Sequence, residues 1–270
     1  MTRIFISDSL RSDQVELRLD KEQQKYLKSV LRMNHGDIII VCDKSMTDYT
    51  CAIDNFDSEG VNLRIIGFKK NDSEPNYRVM LFQSVSKGER MDYTIQKSVE
   101  LGVDTIIPVD SARTIVKVKD KDGSGKLDRW SKIALEASRQ SGRGKVVEVT
   151  SVVRFQKALE MAKSISDIVI IPWENETDKS FGQVLESFFS HKRELLDFPN
   201  PALAENSSEE GIYRPSISVF IGPEGGFEKE EVEAAIQSGA IPVTLGKRIL
   251  RTETAGPSVL AMLLYRFELN

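Results

Sequence analysis

The sequence predicts a chain of two parts, a small, mostly β domain followed by a larger α/β domain. The first seventy residues contain short strand-like runs and one helix, whereas from Arg78 onward apolar strand runs alternate with amphipathic segments. Such alternation is typical of an α/β domain around a largely parallel sheet. Between the two patterns lies a polar, proline-containing segment from Lys69 to Asn76, which indicates a linker.

In the first part, the segment Lys21–Arg32 carries apolar residues at helical spacing behind Asp20, a plausible N-cap, and therefore predicts a helix. The strands predicted around it are Arg3–Ile6, Asp37–Cys42, Tyr49–Phe56 and Val61–Phe68. The last two flank the polar residues 57–60, which predict a hairpin loop.

In the second part, apolar runs and helical periodicity alternate six times. The predicted strands are Arg78–Val85, Thr105–Val109, Val146–Val149, Ile168–Pro172, Ser216–Ile221 and Pro242–Leu245. The predicted helices are Arg90–Leu101, Leu127–Ser141, Phe155–Ser164, Phe181–Phe189, Lys229–Ser238 and Thr254–Arg266.

Composition excludes several classes of protein. Hydrophobic residues make up 40% and charged residues 29% of the 270 residues, which argues against a disordered or fibrous chain. No apolar run approaches the length of a membrane span, and the acid-containing start Met1–Asp8 does not resemble a signal peptide. Two cysteines, Cys42 and Cys51, suit a reducing compartment, so we expect a cytoplasmic protein without membrane contact.

The net charge of −4 hides an uneven distribution. From Ser111 to Lys145 ten basic residues stand against four acids, and from Glu174 to Glu210 nine acids stand against three bases. The first stretch predicts a basic face suited to a nucleic-acid backbone. The second predicts an acidic, loop-rich insertion at about 174–215.

The glycine-rich segment Ile221–Phe227 (IGPEGGF) lies between a predicted strand and a predicted helix. Its three glycines allow a tight turn and a close approach of the backbone to a ligand. The acids that follow would repel phosphate, and the spacing is neither that of a dinucleotide-binding loop nor that of a P-loop. The sequence supports two interpretations of this segment equally, a ligand-binding loop and a simple strand–helix connection.

A second cluster, Leu245–Ala255 (LGKRILRTETA), also follows a predicted strand and opens the last helix. Arg248 and Arg251 could hold a phosphate or carboxylate through paired hydrogen bonds. The alternative is a capped helix start, with Thr252 or Thr254 as N-cap and the arginines paired to Glu253.

Two further segments of the sequence are candidates for a functional role. The segment Gln83–Asp92 is a third strand–loop–helix junction, and three such junctions in one sheet can converge on one site. The segment Ala137–Lys145 is a basic, glycine-containing helix end, which together with Arg113, Lys117 and Lys119 predicts an RNA-backbone patch, the alternative being a solvated basic face.

The histidine and cysteine counts exclude common catalytic sites. The chain has two histidines, His35 and His191, and no cluster of histidine, cysteine and acid with the spacing of a metal site. Neither a Ser-His-Asp set nor a Cys-His pair is present in the sequence. We therefore expect no metal.

Taken together, these motifs resemble those of the RsmE family, the 16S ribosomal RNA uracil-N3 methyltransferases of the SPOUT superfamily. The resemblance covers nearly the whole chain. Besides the two glycine-containing segments, it is carried by Arg3–Phe5, Val30–Asp37, Lys87–Asp92, Gln96–Val103 and Gln140–Arg143. The chain departs from the usual family pattern at Tyr26, Ala112 and Val147, where histidine, an acid and often proline are usual.

The resemblance implies a PUA-like RNA-binding β-barrel at 1–72 and a SPOUT-type α/β domain, tied in a trefoil knot, at 73–270. It also implies a homodimer, S-adenosyl-L-methionine as cofactor without a metal, and 16S rRNA or the small ribosomal subunit as partner. By motif match, the predicted cofactor-binding residues are Pro172, Glu174, Ile221, Gly222, Glu224, Gly225, Gly226, Leu245, Gly246, Arg248, Ile249 and Leu250.

The implied reaction is methyl transfer to N3 of a specific uridine. Because the N3 proton must leave, a base or a positive charge must favour the anion. The predicted catalytic residues are Arg251, Glu253 and Arg248, with Arg251 stabilising charge and Glu253 or Glu224 as the candidate base. The predicted RNA contacts are Arg3, Arg32, Arg90, Arg113, Arg139 and Arg143.

Three alternatives remain from the sequence. One is another SPOUT-type RNA methyltransferase, acting on a ribose 2′-hydroxyl or a tRNA base. The second is a non-catalytic RNA-binding factor of ribosome assembly. The third, a nucleotide-binding α/β enzyme, is disfavoured because the phosphate motifs are missing.

Overall fold

The computed structural model describes residues 1–11, 13–115, 120–196 and 214–269, without the side chains of 120–124 and 191–196. The chain forms two compact units. The first comprises Met1–Glu74 and Leu135–Val146, and the second comprises Pro75–Ala134 and Val147–Asn270. Most of the predicted acidic insertion, and the predicted RNA-patch residues Lys117 and Lys119, lie outside the described residues.

The first unit is built on a five-stranded sheet. Its strands are β1 (Thr2–Phe5), β2 (Glu16–Leu19), β3 (Ile38–Cys42), β4 (Thr47–Phe56) and β5 (Val61–Lys70), in the order β1-β3-β4-β5-β2. Strand β1 pairs in parallel with β3, and the other pairs are antiparallel. The predicted hairpin between β4 and β5 is confirmed. Strand β2 escaped prediction because its four residues, Glu-Leu-Arg-Leu, carry too short an apolar pattern.

The predicted helix Lys21–Arg32 is confirmed in its first half. Helix α1 (Lys21–Lys25) begins behind Asp20, whose side chain accepts a hydrogen bond from the backbone of Gln23 in a capping box. From Tyr26 to Val30 the chain continues as a π-helical turn. Such turns are rare and are frequently found at functional sites.

The second unit is a parallel sheet covered by helices. In the part of it that is described, the strands are β6 (Arg78–Ser84), β7 (Thr105–Asp110), β8 (Glu148–Val149), β9 (Val153–Arg154), β10 (Ile168–Pro172), β11 (Ser216–Ile221) and β12 (Ile241–Val243). The helices are α2 (Glu89–Glu100), α3 (Asp120–Gln140), α4 (Phe155–Ile165), α5 (Phe181–Leu196), α6 (Lys229–Gln237) and α7 (Thr252–Glu268). Helix α3 contributes its last turns to the first unit.

The strand order is β12-β10-β11-β6-β7-β8, with β9 paired to β7. Every pairing in this sheet is parallel, as the alternating sequence pattern predicts. Strand β9 was not predicted because two residues carry no periodicity. Helix α3 starts seven residues before the predicted Leu127, because polar and glycine residues form its first turns.

Side chains of β6 alternate between the two faces of the sheet. Met80 and Phe82 pack with residues of α4 and α6, and the ring of Phe82 stacks on that of Phe220 with 4.5 Å between centroids. Leu81 and Gln83 face the other side, toward Gly256 of α7. Because both faces are covered, β6 is buried over nearly its whole length.

None of the helices in the described ranges combines the length and the apolar character that crossing a membrane would require.

Candidate active site

Four neighbouring strands of the second unit end at one edge of the sheet. Because β12, β10, β11 and β6 are parallel and adjacent, the loops that follow them meet at the carboxyl edge. This edge is where α/β sheets bind their ligands. The three junctions singled out in the sequence, after β6, β11 and β12, all lie there.

A cavity of about 1000 Å³ opens at this edge. It is lined by residues 172–174, 176–177, 221–227, 244–253 and Ala255, which come from the loops after β10, β11 and β12. Every residue predicted for cofactor binding and the three predicted for catalysis are among them. The structure thus brings the predicted residues together around one cavity, and their roles in cofactor binding and catalysis stay predictions.

In the loop after β11, the backbone conformation of Gly226 favours glycine, and Gly222 is closely packed. A Cβ added at Gly226 would lie 2.8 Å from Oε1 of Glu174, and the φ of Gly226 is +69°, which disfavours other residues. A Cβ at Gly222 would lie 3.3 Å from the ring of Phe227. The loop thus connects β11 to α6 and also presents bare backbone to the cavity.

The carboxylate of Glu224 is held by the junction after β6. It accepts hydrogen bonds of 3.0 Å from the backbone N–H of Lys87 and from Nη1 of Arg90. Partial burial would raise the pKa of Glu224, but these hydrogen bonds and the charge of Arg90 outweigh it and lower the pKa. Glu224 is therefore a charged anchor at neutral pH and poorly suited to accept a proton.

The start of α7 is fixed by a buried threonine. The hydroxyl of Thr252 donates to the carbonyl oxygen of Gly222 at 2.7 Å and accepts from Nε2 of Gln83 at 2.9 Å. The N-cap is Arg251, without a side-chain capping bond, and Glu253 approaches Arg90 at 3.8 Å. The alternative interpretation, a threonine cap with arginines paired to Glu253, is therefore wrong.

Arg248 and Arg251 lie exposed in the cavity lining. Among the residues that the structure describes, neither forms a salt bridge. Arg251 stands at the N-terminus of the 17-residue helix α7, where the helix dipole adds to its positive charge. This corner of the cavity is suited to a ligand that carries or develops negative charge.

Two of the predicted RNA contacts, Arg3 and Arg143, are engaged inside the first unit. Arg143 forms a paired salt bridge with Glu74 through contacts of 2.8 and 2.7 Å, and its side chain is 3% exposed. Arg3 pairs with Asp48 at 2.5 and 2.8 Å, with side chains 9% and 5% exposed. Since breaking a buried ion pair leaves an uncompensated charge, neither guanidinium is available to a phosphate.

Arg139 and Arg32 lie nearer the surface of the same unit. The guanidinium of Arg139 lies over the ring of Tyr26, 4.5 Å from its centroid, and pairs with Glu136 at 2.5 Å. Arg32 is exposed at a φ of +56°, directly after the π-helical turn. Within the described ranges it forms no ion pair. Of the six predicted RNA contacts, Arg32 is therefore the one that is exposed and forms no salt bridge with the described residues.

The last two predicted RNA contacts brace the loop after β11. Arg113 donates to the carbonyl oxygen of Gly225 at 2.8 Å and lies 3.8 Å from Glu228. Arg90 bridges Glu224 and Glu253, as described above. Both side chains are nearly half exposed, so an RNA contact remains compatible with these bonds.

Sequence reasoning missed several residues of the cavity and its support. Thr244 and Lys247, to which no role was assigned, line it, and Gln83 supports it from the strand beneath. Gln83 carried a visible signal, since it is polar within the apolar run of β6. Among the described residues, no group of three histidine, cysteine or acidic side chains could hold a metal ion.

Comparisons with known proteins identify RNA methyltransferases similar to this chain. An RNA methyltransferase domain model matches residues 73–264, and an RNA methyltransferase PUA domain model matches 19–66. Ribosomal RNA small subunit methyltransferase E of Bacillus subtilis is 30% identical over 100% of this chain and 98% of its own length. The protein of the same name from Buchnera aphidicola (Acyrthosiphon pisum) is 31% identical over 94% and 88%. The Neisseria gonorrhoeae protein of that name, solved bound to S-adenosyl methionine, matches with a TM-score of 0.78 at 30% identity, covering 99% and 98%.

Proposed function

This chain belongs to the ribosomal RNA small subunit methyltransferase E family of RNA methyltransferases, and we propose that it methylates N3 of a specific uridine in 16S rRNA. The proposed methyl donor is S-adenosylmethionine, the molecule to which the gonococcal relative is bound in its solved structure. The observation that carries the proposal is the cavity at the carboxyl edge, where bare glycine backbone, a carboxylate and two arginines that form no salt bridge with the described residues meet.

The residues around the cavity fit S-adenosylmethionine. Gly222, Gly225 and Gly226 leave backbone of the loop after β11 bare at three positions, so that a ligand can be held there by backbone groups. Leu245, Leu250 and Trp173 add apolar surface suited to an adenine ring. When bound, the cofactor supplies an electrophilic methyl group. No metal ligand set is required of the chain.

Proton removal from N3 is assigned to Glu253. Its carboxylate lines the cavity in the first turn of α7, at 3.8 Å from Arg90. Glu224, the other candidate, already accepts two hydrogen bonds that favour its charged form. Because N3 lies on the Watson–Crick edge, the uridine must be unpaired or flipped out to meet this residue.

Charge stabilisation is assigned to Arg251, with Arg248 beside it. As N3 loses its proton, negative charge develops on the uracil carbonyl oxygens. A guanidinium and a helix N-terminus placed before the reaction stabilise such charge without reorganisation. Alignment of the base with the methyl group supplies a further part of the rate.

The proposed RNA surface contains fewer arginines than the sequence predicted. Arg32, Arg139, Arg113 and Arg90 remain as contacts, because their side chains reach solvent at least in part. Arg3 and Arg143 are left out because they are buried in ion pairs. The partner is 16S rRNA or the small ribosomal subunit that contains it.

Finer features of the fold are part of the same proposal. We place a PUA-like β-barrel at 1–72 and a knotted methyltransferase domain at 73–270. The path of α7 supports a trefoil knot, since the chain leaves β12 at the sheet edge and returns to pack on β6, β11 and α2.

A homodimer in the cytoplasm completes the proposal. Support for the dimer comes from a groove of about 360 Å³ between α5 and α7, whose rim exposes Met262 and Tyr265. Support for a reducing compartment comes from Cys42 and Cys51, which are free thiols. Burial raises the pKa of both thiols to about 12, which keeps them unreactive.

Two measurements test the function. Calorimetric titration with S-adenosylmethionine should show binding, whereas no binding would favour a non-catalytic assembly factor. Transfer of labelled methyl groups to small subunits, followed by primer extension, should give a stop at one uridine because N3 methylation blocks pairing. A labelled product without such a stop would instead indicate a ribose methyltransferase.

A further inference from the structure

Gln83 is an unusual residue for its position. It lies in the middle of a parallel sheet, directly after the apolar run Val79–Phe82 of β6, and is 0% exposed. Its Nε2 donates to Thr252 Oγ1 and to the carbonyl oxygen of Ser84, but among the described residues its Oε1 accepts no hydrogen bond. A buried amide with one unsatisfied atom costs folding free energy relative to an apolar residue of similar volume.

The bond that Gln83 does make leads directly to the reaction site. Thr252, 5% exposed, accepts a hydrogen bond from Gln83 at 2.9 Å and donates its hydroxyl hydrogen bond to the carbonyl oxygen of Gly222 at 2.7 Å. These two hydrogen bonds set the orientation of the Gln83 amide. The carbonyl oxygen of Gly222 can only accept, so the Thr252 hydroxyl donates to it. The Thr252 oxygen then accepts from Gln83, which requires Nε2 to face it. All three hydrogen-bonding groups are buried or partly buried.

This hydrogen-bond relay, from Gln83 through Thr252 to Gly222, joins the two segments that must be aligned, the start of α7 and the loop after β11. Thr252 stands between Arg251 and Glu253, two of the residues assigned to catalysis, and Gly222 opens the loop assigned to the cofactor. The β6 junction that carries Gln83 does not itself line the cavity. A shift of about 1 Å in such an arrangement can lower a rate by roughly 100-fold.

We propose that Gln83 and Thr252 are positioning residues for methyl transfer. Their hydrogen-bond relay fixes the start of α7 to the Gly222 loop and thereby keeps the catalytic side chains aligned with the cofactor. This inference rests on the proposed function and deepens it. It assigns to the relay a role in the rate of transfer that is separate from folding.

The test compares variants that keep or remove each hydrogen bond. Thr252→Val removes the hydroxyl at constant shape, and Thr252→Ser keeps it. We expect Thr252→Val to lower kcat at saturating S-adenosylmethionine by about 10-fold to 100-fold. Thr252→Ser should stay within about threefold of the wild type, since its hydroxyl can make both bonds. RNA affinity should be unchanged in both.

The variant Gln83→Met distinguishes a positioning role from a purely structural role. Because it removes the unsatisfied Oε1 and keeps the volume, its melting temperature should equal or exceed that of the wild type. Its kcat should nevertheless fall, by about fivefold or more, through loosened alignment. This variant also decides the question if Thr252→Val does not fold.

The outcomes separate the inference from the function on which it rests. If the wild type neither binds S-adenosylmethionine nor methylates small subunits, the proposed function fails. If the wild type is active and Thr252→Val or Gln83→Met keeps a wild-type kcat, the relay is not a positioning device. An equal loss in Thr252→Ser and Thr252→Val would also overturn it.

Discussion

At the scale of single residues, burial divides the arginines of this chain into two groups. Arg3 and Arg143 are nearly inaccessible and each is matched to a carboxylate, as buried guanidiniums must be. Arg248 and Arg251 are exposed in a cavity and have no ion-pair partner among the described residues. A motif can mark all four as important, but only their surroundings distinguish a structural cation from one available to a ligand.

Arg251→Ala should slow methylation without abolishing cofactor binding. Removing one group that stabilises developing charge typically lowers kcat by about 100-fold to 1000-fold. The matched control is Lys247→Ala, which removes another exposed cation of the same cavity and should have a small effect. Single-turnover methylation and calorimetric binding of S-adenosylmethionine separate the two quantities. A near-wild-type rate in Arg251→Ala would remove its assigned role.

Asp48 should make the stability of the chain depend on acid pH. Burial would raise its pKa, but hydrogen bonds from Arg3 and Asn71 lower it below the ordinary value. Because the folded pKa is depressed, the stabilisation is present above the unfolded pKa of about 3.9 and is lost as the pH falls through the folded pKa.

Asp48→Asn should therefore destabilise the fold by about 3–5 kcal/mol at pH 7 and by less as the pH falls below about 4. Asp13→Asn, which breaks the exposed pair with Arg11, should change the free energy of unfolding by less than about 1 kcal/mol. Urea unfolding between pH 3 and 7 measures both. An Asp48→Asn effect that does not change with pH would contradict this assignment.

At the scale of elements, the sequence predicts long periodic segments well and short or irregular ones poorly. Strands Ile168–Pro172 and Ser216–Ile221 were predicted with their observed bounds, because buried parallel strands are continuous apolar runs. The π-helical turn Tyr26–Val30 was predicted as ordinary helix, because its apolar spacing is helical. Periodicity reports which face is buried, but it does not report the hydrogen-bond pattern.

The candidate site could likewise be predicted only in part from the sequence. Composition and spacing identified the glycine loop and the Arg248–Arg251 segment, since both break the regular pattern at a strand end. The direction of the Thr252 hydroxyl and the pairing of Arg90 with Glu224 and Glu253 could not be predicted, because they depend on contacts between distant segments.

Gly226→Ala should weaken S-adenosylmethionine binding. The new Cβ would lie 2.8 Å from Glu174 Oε1, and alanine would be strained at a φ of +69°. Gly239→Ala is a matched control, because Gly239 has a φ of +98° but open space around its Cβ position, outside the cavity. We expect about a tenfold or greater loss of affinity in Gly226→Ala, about 1.4 kcal/mol or more, and an unchanged affinity in the control. Equal affinities in the two variants would show that the loop does not contact the cofactor.

At the scale of the whole molecule, net charge is a poor guide to the partner. The total of −4 averages a basic stretch at 111–145 and an acidic stretch at 174–210. Several charges of both stretches lie outside the described residues, so the two faces remain a prediction. The structure also shows that a basic residue in such a stretch need not be exposed, as Arg143 demonstrates.

The proposed homodimer should depend on the groove between α5 and α7. Tyr265 is 60% exposed at its rim, so Tyr265→Glu would bring a charge into an apolar contact. Sedimentation velocity should show twice the mass of the chain for the wild type and mostly monomer for the variant. Tyr93→Glu, at another exposed tyrosine on α2, should remain dimeric. A monomeric wild type, or a dimeric Tyr265→Glu variant, would contradict the proposed interface.

The central claim, methylation of uracil N3 in small-subunit rRNA, is tested most directly by identifying the product. Small subunits that lack the modification are incubated with the protein and S-adenosylmethionine, and the rRNA is digested to nucleosides for mass spectrometry against synthetic standards. The account predicts one equivalent of 3-methyluridine per subunit and none when the protein is omitted. A 2′-O-methylated nucleoside, a methylated base other than uracil, or no methylated product would contradict it.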